Sequence, residues 1–248
     1  MAISTTSSTN SSGMNANSPN KTTPPQAYID HVQNFYGRDF YVDKNVLIPR
    51  PESEQLIDAV LNLAGKPYLP GVNPPKRKLK ETPTVLDVGT GSGCLAITLA
   101  LELPEAKVYA TDISKPALKV AQKNATTHGA PITTIISHLL EKVKDGTLPV
   151  PDLIIANLPY VDPDWPWLDK RSLAHEPSLA LYAKDHGLAL IKELIDEAST
   201  LSVKYLVLEA DPCEHQSIID YARGRYNLES SSGFALSFRT AYTPQASH

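Results

Sequence analysis

The sequence predicts an α/β protein built on a doubly wound, mostly parallel seven-stranded sheet. Three observations carry this. From Pro83 onward, short apolar runs alternate with helical patterns. A glycine cluster, Asp87-Val88-Gly89-Thr90-Gly91-Ser92-Gly93, stands where the first of these strands gives way to a helix. The last two strand-like segments, 226–230 and 234–239, lie too close together for a βαβ crossover and read as a closing antiparallel hairpin.

Thr84–Val88 reads as a buried strand and Cys94–Leu103 as the helix after it. Lys107–Thr111 is a strand, Lys115–Thr127 a helix, and Ile132–Ile136 and Asp152–Ala156 are strands. Gly187–Ala198 follows as a helix, Lys204–Ala210 as a strand and Glu214–Tyr221 as a short helix. Such alternation calls for right-handed crossovers and a parallel sheet covered on both faces. Ahead of the sheet, Leu56, Ile57, Val60, Leu61 and Leu63 fall close to helical spacing. Pro51, Glu52, Ser53 and Glu54 suit that helix's N-terminus. The chain thus divides into a tail (1–25), a helical lead-in with a Pro-rich connector (26–83) and the sheet domain (84–248).

Composition excludes several classes. The chain has 248 residues, 42% of them hydrophobic, enough for a sizeable core. Its formal charge of −4 argues against attachment to nucleic acid by bulk charge. Two cysteines, Cys94 and Cys213, make no disulfide framework. No apolar run reaches the length of a membrane span. The tail is almost entirely Ser, Thr, Asn and Pro and reads as disordered. It lacks the apolar stretch of a secretory signal. A Ser-rich, acid-free start also fits an organelle transit peptide, but it contains no arginine, so a cytoplasmic location is the expectation. The cations Lys76, Arg77, Lys78 and Lys80 read as a solvated loop. The histidines show no metal-ligand spacing, so no metal is expected.

The glycine cluster brings backbone N–H groups close to a ligand at the carboxyl ends of the strands. Its G-x-G-x-G form, with Asp87 two residues before Gly89, resembles motif I of S-adenosylmethionine-dependent methyltransferases. Asp112 ends the next strand, where a bidentate carboxylate suits a ribose diol. The expected cofactor site is therefore Asp87, Gly89, Thr90, Gly91, Gly93 and Asp112, with Asn157 reaching it from the neighbouring strand.

Asn157-Leu158-Pro159-Tyr160 follows the strand 152–156 and is the candidate catalytic motif. The Asn157 side-chain oxygen and the Leu158 carbonyl can both accept hydrogen bonds from one planar –NH2 group. Pro159 confines Leu158 to extended geometry, and Tyr160 offers an aromatic face to a planar substrate. This resembles the [N/D/S]-P-P-[Y/F/W] motif of amino-group methyltransferases, and in this form also that of ribosomal RNA adenine dimethyltransferases. Adenine, cytosine and glutamine all carry such a group, so the motif leaves the substrate open.

The flanks carry a narrower resemblance. Val46-Leu47-Ile48-Pro49-Arg50-Pro51-Glu52-Ser53-Glu54 is similar to the I-P-R-P-x-[S/T]-E segment of the HemK/PrmC family, the protein-glutamine N5-methyltransferases of peptide chain release factors. His175-Glu176-Pro177-Ser178-Leu179-Ala180-Leu181 and Asp185-His186-Gly187-Leu188 resemble that family's E-P-x-x-A-L and D-x-G segments. The resemblance implies a Rossmann-like class I methyltransferase fold and S-adenosyl-L-methionine as cofactor. It implies methyl transfer to glutamine N5 of a protein partner, a release factor or a ribosomal protein. Leu158 replaces the first proline of the family motif, and Ser137-His138-Leu139 stand where the family often has an acid. The rival is an adenine-N6 or cytosine-N4 methyltransferase of nucleic acid, for which a basic groove would be needed. Trp165 and Trp167, just after the motif, are candidate lid residues.

Overall fold

The computed structural model describes residues 23–66, 75–166, 168, 170 and 172–241. Most of the tail, the middle of the Pro-rich connector and Trp167 lie outside the described residues.

Among the described residues, seven strands form one sheet. They are β3 (Thr84–Val88), β4 (Lys107–Asp112), β5 (Ile132–Ile136), β6 (Leu153–Ala156), β7 (Tyr205–Glu209), β8 (Tyr226–Ser232) and β9 (Ala235–Thr240). The order is β5-β4-β3-β6-β7-β9-β8. The pairs from β5 to β7 are parallel, and β9 is antiparallel to both β7 and β8. Strand order reverses between β3 and β6, which puts a ligand crevice at their carboxyl ends. The glycine cluster and Asn157 both leave the sheet there.

Helices α3 (Cys94–Glu102), α4 (Lys115–His128), α6 (Ala189–Thr200) and α7 (His215–Ala222) and the single turn α5 (Glu141–Lys144) connect the strands. Sequence chemistry sets their ends. Ser114 caps α4 by accepting from the Ala117 N–H at 3.3 Å, Pro116 occupies its first turn, and Gly129 terminates it.

Strand residues alternate between two cores, as the period of two requires. Val85, Leu153, Ile155 and Val207 face one. Leu86, Val88, Ile154, Ala156, Leu206 and Leu208 face the other, packed against α6 and α7 through Leu194 and Ile218. Strands β6 and β7 are buried along their whole length, which explains the apolar runs 153–156 and 205–208.

The lead-in holds more than the helix its periodicity predicts. That helix is α2 (Glu54–Leu63), preceded by a short 3-10 turn at Pro51–Ser53. Before it come the single turn α1 (Gln26–Asp30) and a hairpin of β1 (Gln33–Phe35) and β2 (Arg38–Phe40). Three-residue strands are too short to show a period of two, so the helical reading of this stretch was incomplete. Phe35, Phe40 and Leu56 share a core with Val85 and Leu95, so the lead-in packs directly on the sheet.

Candidate active site

The glycine cluster is held from beneath. Asp87 is fully buried, and its Oδ2 accepts from the Thr90 hydroxyl at 2.7 Å and the Ala96 N–H at 3.2 Å. Its Oδ1 has no partner. Burial pushes the Asp87 carboxyl up to about 7, against the opposing pull of those two hydrogen bonds. The Gly89 and Thr90 N–H groups donate to the Thr111 carbonyl at 2.8 and 2.9 Å. A Cβ on Gly89 would stand 3.1 Å from Leu158 Cδ2, and one on Gly93 would stand 3.0 Å from Ile97 Cδ1. Both positions have positive φ, so glycine serves the turn and the close approach together. At Gly91 a Cβ would meet nothing within 4 Å, which leaves an open cradle on that side of the loop.

Asp112 faces this cradle. Its Oδ2 accepts from the Gly91 N–H at 2.9 Å and its Oδ1 from the Ser114 N–H at 2.8 Å. Each carboxylate oxygen retains a further lone pair, so a vicinal diol can still be bound. Burial raises the Asp112 pKa, and the backbone donors of Ser114 and Gly91 oppose the rise. Beside it Ile113 is 51% exposed and lines the same pocket, an apolar surface that a planar ring would cover. Sequence reasoning passed over Ile113; its position directly after the predicted ribose acid was the available signal. This donor set and cradle fit an adenosyl group.

The pocket, about 210 Å3, is lined by Gly89, Thr90, Gly91, Asp112, Asn157, Leu158 and Pro159 among others. Asp87, Gly93 and Tyr160 do not line it. Asp87 and Gly93 act from behind the loop. Tyr160, expected to present its ring to the substrate, packs against the second core, and its hydroxyl donates to Glu209 Oε1 at 3.1 Å. A half-buried tyrosine hydroxyl needs a partner, and the buried carboxylate supplies one.

Asn157 Nδ2 donates to the Ser53 hydroxyl at 3.0 Å, which leaves the Asn157 Oδ1 as an acceptor at the pocket wall. Leu158 is buried over Gly89 and joins the acceptor motif to the cofactor loop. Behind the motif, Asp185, His186 and Gly187 form three consecutive left-handed residues. A Cβ on Gly187 would fall 2.0 Å from the Tyr160 carbonyl oxygen, so the backbone there abuts the motif directly.

The two flanking segments meet over the pocket. Arg50 forms an ion pair with the buried Glu176, whose Oε2 also accepts from the Ile48 N–H at 3.3 Å. Arg50, Ser53, Pro177 and Leu179 line the pocket, Leu179 with 63% of its surface exposed. His138 also lines it and lies 3.9 Å from Glu193. Trp165 does not line it. Of the basic cluster, Arg77 pairs with Glu81 and Glu105, Lys78 with Glu229, and Lys80 with Asp152. No helix among the described residues is long and apolar enough to cross a membrane.

Residues 75–165 match the family model of the Methyltransferase small domain. The chain is 43% identical over 171 residues to the release factor glutamine methyltransferase of Koribacter versatilis, covering 68% of this chain and 56% of that protein. It is 38% identical over 179 residues to the enzyme of the same name from Enterococcus faecalis, covering 71% and 58%. A bifunctional methyltransferase of Rickettsia bellii is 37% identical over 190 residues, covering 70% and 34%. The chain thus spans little more than half the length of the first two. These relatives agree with the resemblance carried by the sequence motifs. Among solved structures, the catalytic domain of hMettl16 in complex with an RNA hairpin superposes with a TM-score of 0.59 at 16% identity, covering 89% of this chain and 91% of that one. A likeness at that identity is one of fold: the sheet is that of the Rossmann-like class I methyltransferases.

Proposed function

We propose that this protein transfers a methyl group from S-adenosyl-L-methionine to the side-chain amide nitrogen, N5, of a glutamine in a protein, a peptide chain release factor. The observation that carries the reading is the Asn157–Ser53 hydrogen bond at 3.0 Å. It turns the Asn157 amide so that an acceptor, not a donor, is presented beside the cofactor cradle. The release factor glutamine methyltransferases among its relatives support the choice of glutamine.

When bound, the cofactor would supply an electrophilic sulfonium methyl, its sulfur leaving as a neutral thioether with the S–C electron pair. Asp112 and the open backbone at Gly91 would hold its nucleoside, and Ile113 offers an apolar surface for the base. Asn157 Oδ1 and the Leu158 carbonyl accept the two amide hydrogens of glutamine and aim its nitrogen at the methyl. An amide nitrogen is a poor nucleophile, so alignment must supply much of the rate. Well-oriented reactants can save roughly 7–11 kcal/mol. The same two acceptors stabilise the positive charge that develops on nitrogen, and the proton then leaves to water.

The nucleic-acid rival needs unpaired cations around the pocket. Arg50, the cation that lines the pocket among the described residues, is paired with Glu176, and in the basic cluster Arg77, Lys78 and Lys80 are each matched by a carboxylate, which favours the protein substrate. The test is labelled-methyl transfer to a release factor, a large-subunit ribosomal protein and ribosomal RNA. The release factor should be labelled, and Asn157→Ala should lower that transfer about a hundredfold or more, the scale of one preorganised transition-state hydrogen bond. Cofactor affinity of this variant should stay close to that of the wild type. Labelling of RNA alone would transfer the same clamp to an adenine amino group and overturn the glutamine reading.

A further inference from the structure

Glu209 closes β7 directly behind Asn157 and Tyr160. It is 2% exposed. Its Oε1 accepts from the Tyr160 hydroxyl at 3.1 Å, while its Oε2 has no hydrogen-bond partner. Ser53 and Asn157 stand near enough to favour its ionised form, although neither closes a hydrogen bond on Oε2. An unpartnered carboxylate oxygen at this depth is costly, and it sits beside the residues proposed to clamp the substrate amide.

We infer that Glu209 is a positioning residue which, through the Ser53 hydroxyl, fixes which end of the Asn157 amide faces the methyl acceptor. The inference rests on the amide-clamp reading above. Its logic is one of hydrogen-bond polarity. An ionised carboxylate only accepts, so Glu209 takes the Tyr160 proton on one oxygen and can take the Ser53 proton on the other. Ser53 is also 2% exposed and has a single proton to give. With that proton committed to Glu209, Ser53 can only accept, and Asn157 must turn its NH2 toward it, as observed. Asn157 Oδ1 is then left for the substrate.

Protonated Glu209 reverses the chain. It can donate to Ser53, Ser53 can then donate to Asn157 Oδ1, and the amide turns over to offer the substrate a donor. Burial makes this reversal accessible, since it pushes the Glu209 carboxyl up to about 6. The groups around it are few in kind. Ser53, Tyr160 and Asn157 oppose the rise, and the charge of Glu52 adds to it. Asp211 acts on the adjoining Tyr160, and the nearby Cys94 thiol, itself pushed up to about 12 by burial, stays neutral.

The experiment has a kinetic arm and a spectroscopic arm. The pH dependence of kcat and KM is measured on a release factor for the wild type, Glu209→Gln and Ser53→Ala, each first shown to be folded by circular dichroism. Wild-type kcat should fall on the acid side with a midpoint near pH 6 at nearly constant cofactor KM. Both variants should lose kcat about tenfold or more and lose that acid limb. An unchanged acid limb in Glu209→Gln would overturn the assignment. In the second arm, the 15N-labelled side-chain amide of Asn157 is followed by NMR over the same pH range without substrate. Its resonances should titrate with the same midpoint in the wild type and not in Glu209→Gln. Resonances that do not move with pH would sink the positioning role. A titrating amide in a protein that methylates no glutamine would keep that role and reject the proposed substrate.

Discussion

Asp87 lies beneath the glycine cluster and Glu209 beneath the Asn157 motif. Both are buried carboxyls, and each has one unpartnered oxygen. They differ in where their partners come from. Asp87 is bound by Thr90 and Ala96, three and nine residues away along the chain. Glu209 is bound by Tyr160, 49 residues away, and neighbours Ser53 and Asn157, which are themselves 104 residues apart. The cofactor wall is thus built on the neighbouring strands β3 and β4, whose loop and strand end are joined by backbone N–H groups. The acceptor wall exists only when β6, β7 and the lead-in come together. Damage to remote supports should therefore reach the acceptor wall and spare the cofactor wall.

Gly187→Ala should give the largest effect. The added Cβ would overlap the Tyr160 carbonyl at a left-handed position. Left-handed strain and overpacking together cost about 2–5 kcal/mol. Urea denaturation should show the loss, and methyl transfer should suffer more than cofactor affinity in the protein that remains folded. Equal losses on both sides would erase the distinction between the walls.

Asp112→Ala breaks the other wall. The charge-assisted hydrogen bonds to the diol go, at about 1.5–3 kcal/mol each, so the affinity loss should be tenfold or more. Calorimetry with S-adenosylmethionine measures this directly, and unchanged affinity would remove Asp112 from the site.

Stability against pH sharpens the comparison at Glu209. Its folded pKa, about 6, is raised above the ordinary glutamate value of 4.5. Between those two values the folded state holds more protons than the unfolded state, so this group's contribution to stability falls as pH rises through the window. Glu209→Gln removes that dependence. The melting temperature of the variant minus that of the wild type should climb from about pH 4.5 to about pH 6 and then level off, by up to about 2 kcal/mol in stability. A difference that stays flat with pH would mean the Glu209 carboxyl is not raised.

Leu158→Pro should be the mildest change. The Leu158 carbonyl is kept and Pro159 already confines its backbone, so turnover should stay within about threefold. The lost packing of the buried side chain over Gly89 should cost about 1 kcal/mol in thermal or urea unfolding. A large fall in turnover would show that the Leu158 side chain itself shapes the clamp.

The sequence by itself determined the alternation of strands and helices, the closing hairpin, the glycine turn and the acid at the end of β4. Each of these is written in local chemistry: a period of two or 3.6, a Ser cap, a glycine where φ is positive, a carboxylate one strand away from the loop it serves. Tertiary structure alone decided that Asn157 donates to Ser53 and that the Tyr160 hydroxyl donates to the buried Glu209. It also decided that Arg50 seals Glu176 from 126 residues away and that Glu229 and Asp152 cancel Lys78 and Lys80. The physical reason is range. A hydrogen bond between side chains far apart in sequence leaves no periodicity behind. A strand's last buried glutamate looks like any other until the neighbouring strands fix what it faces.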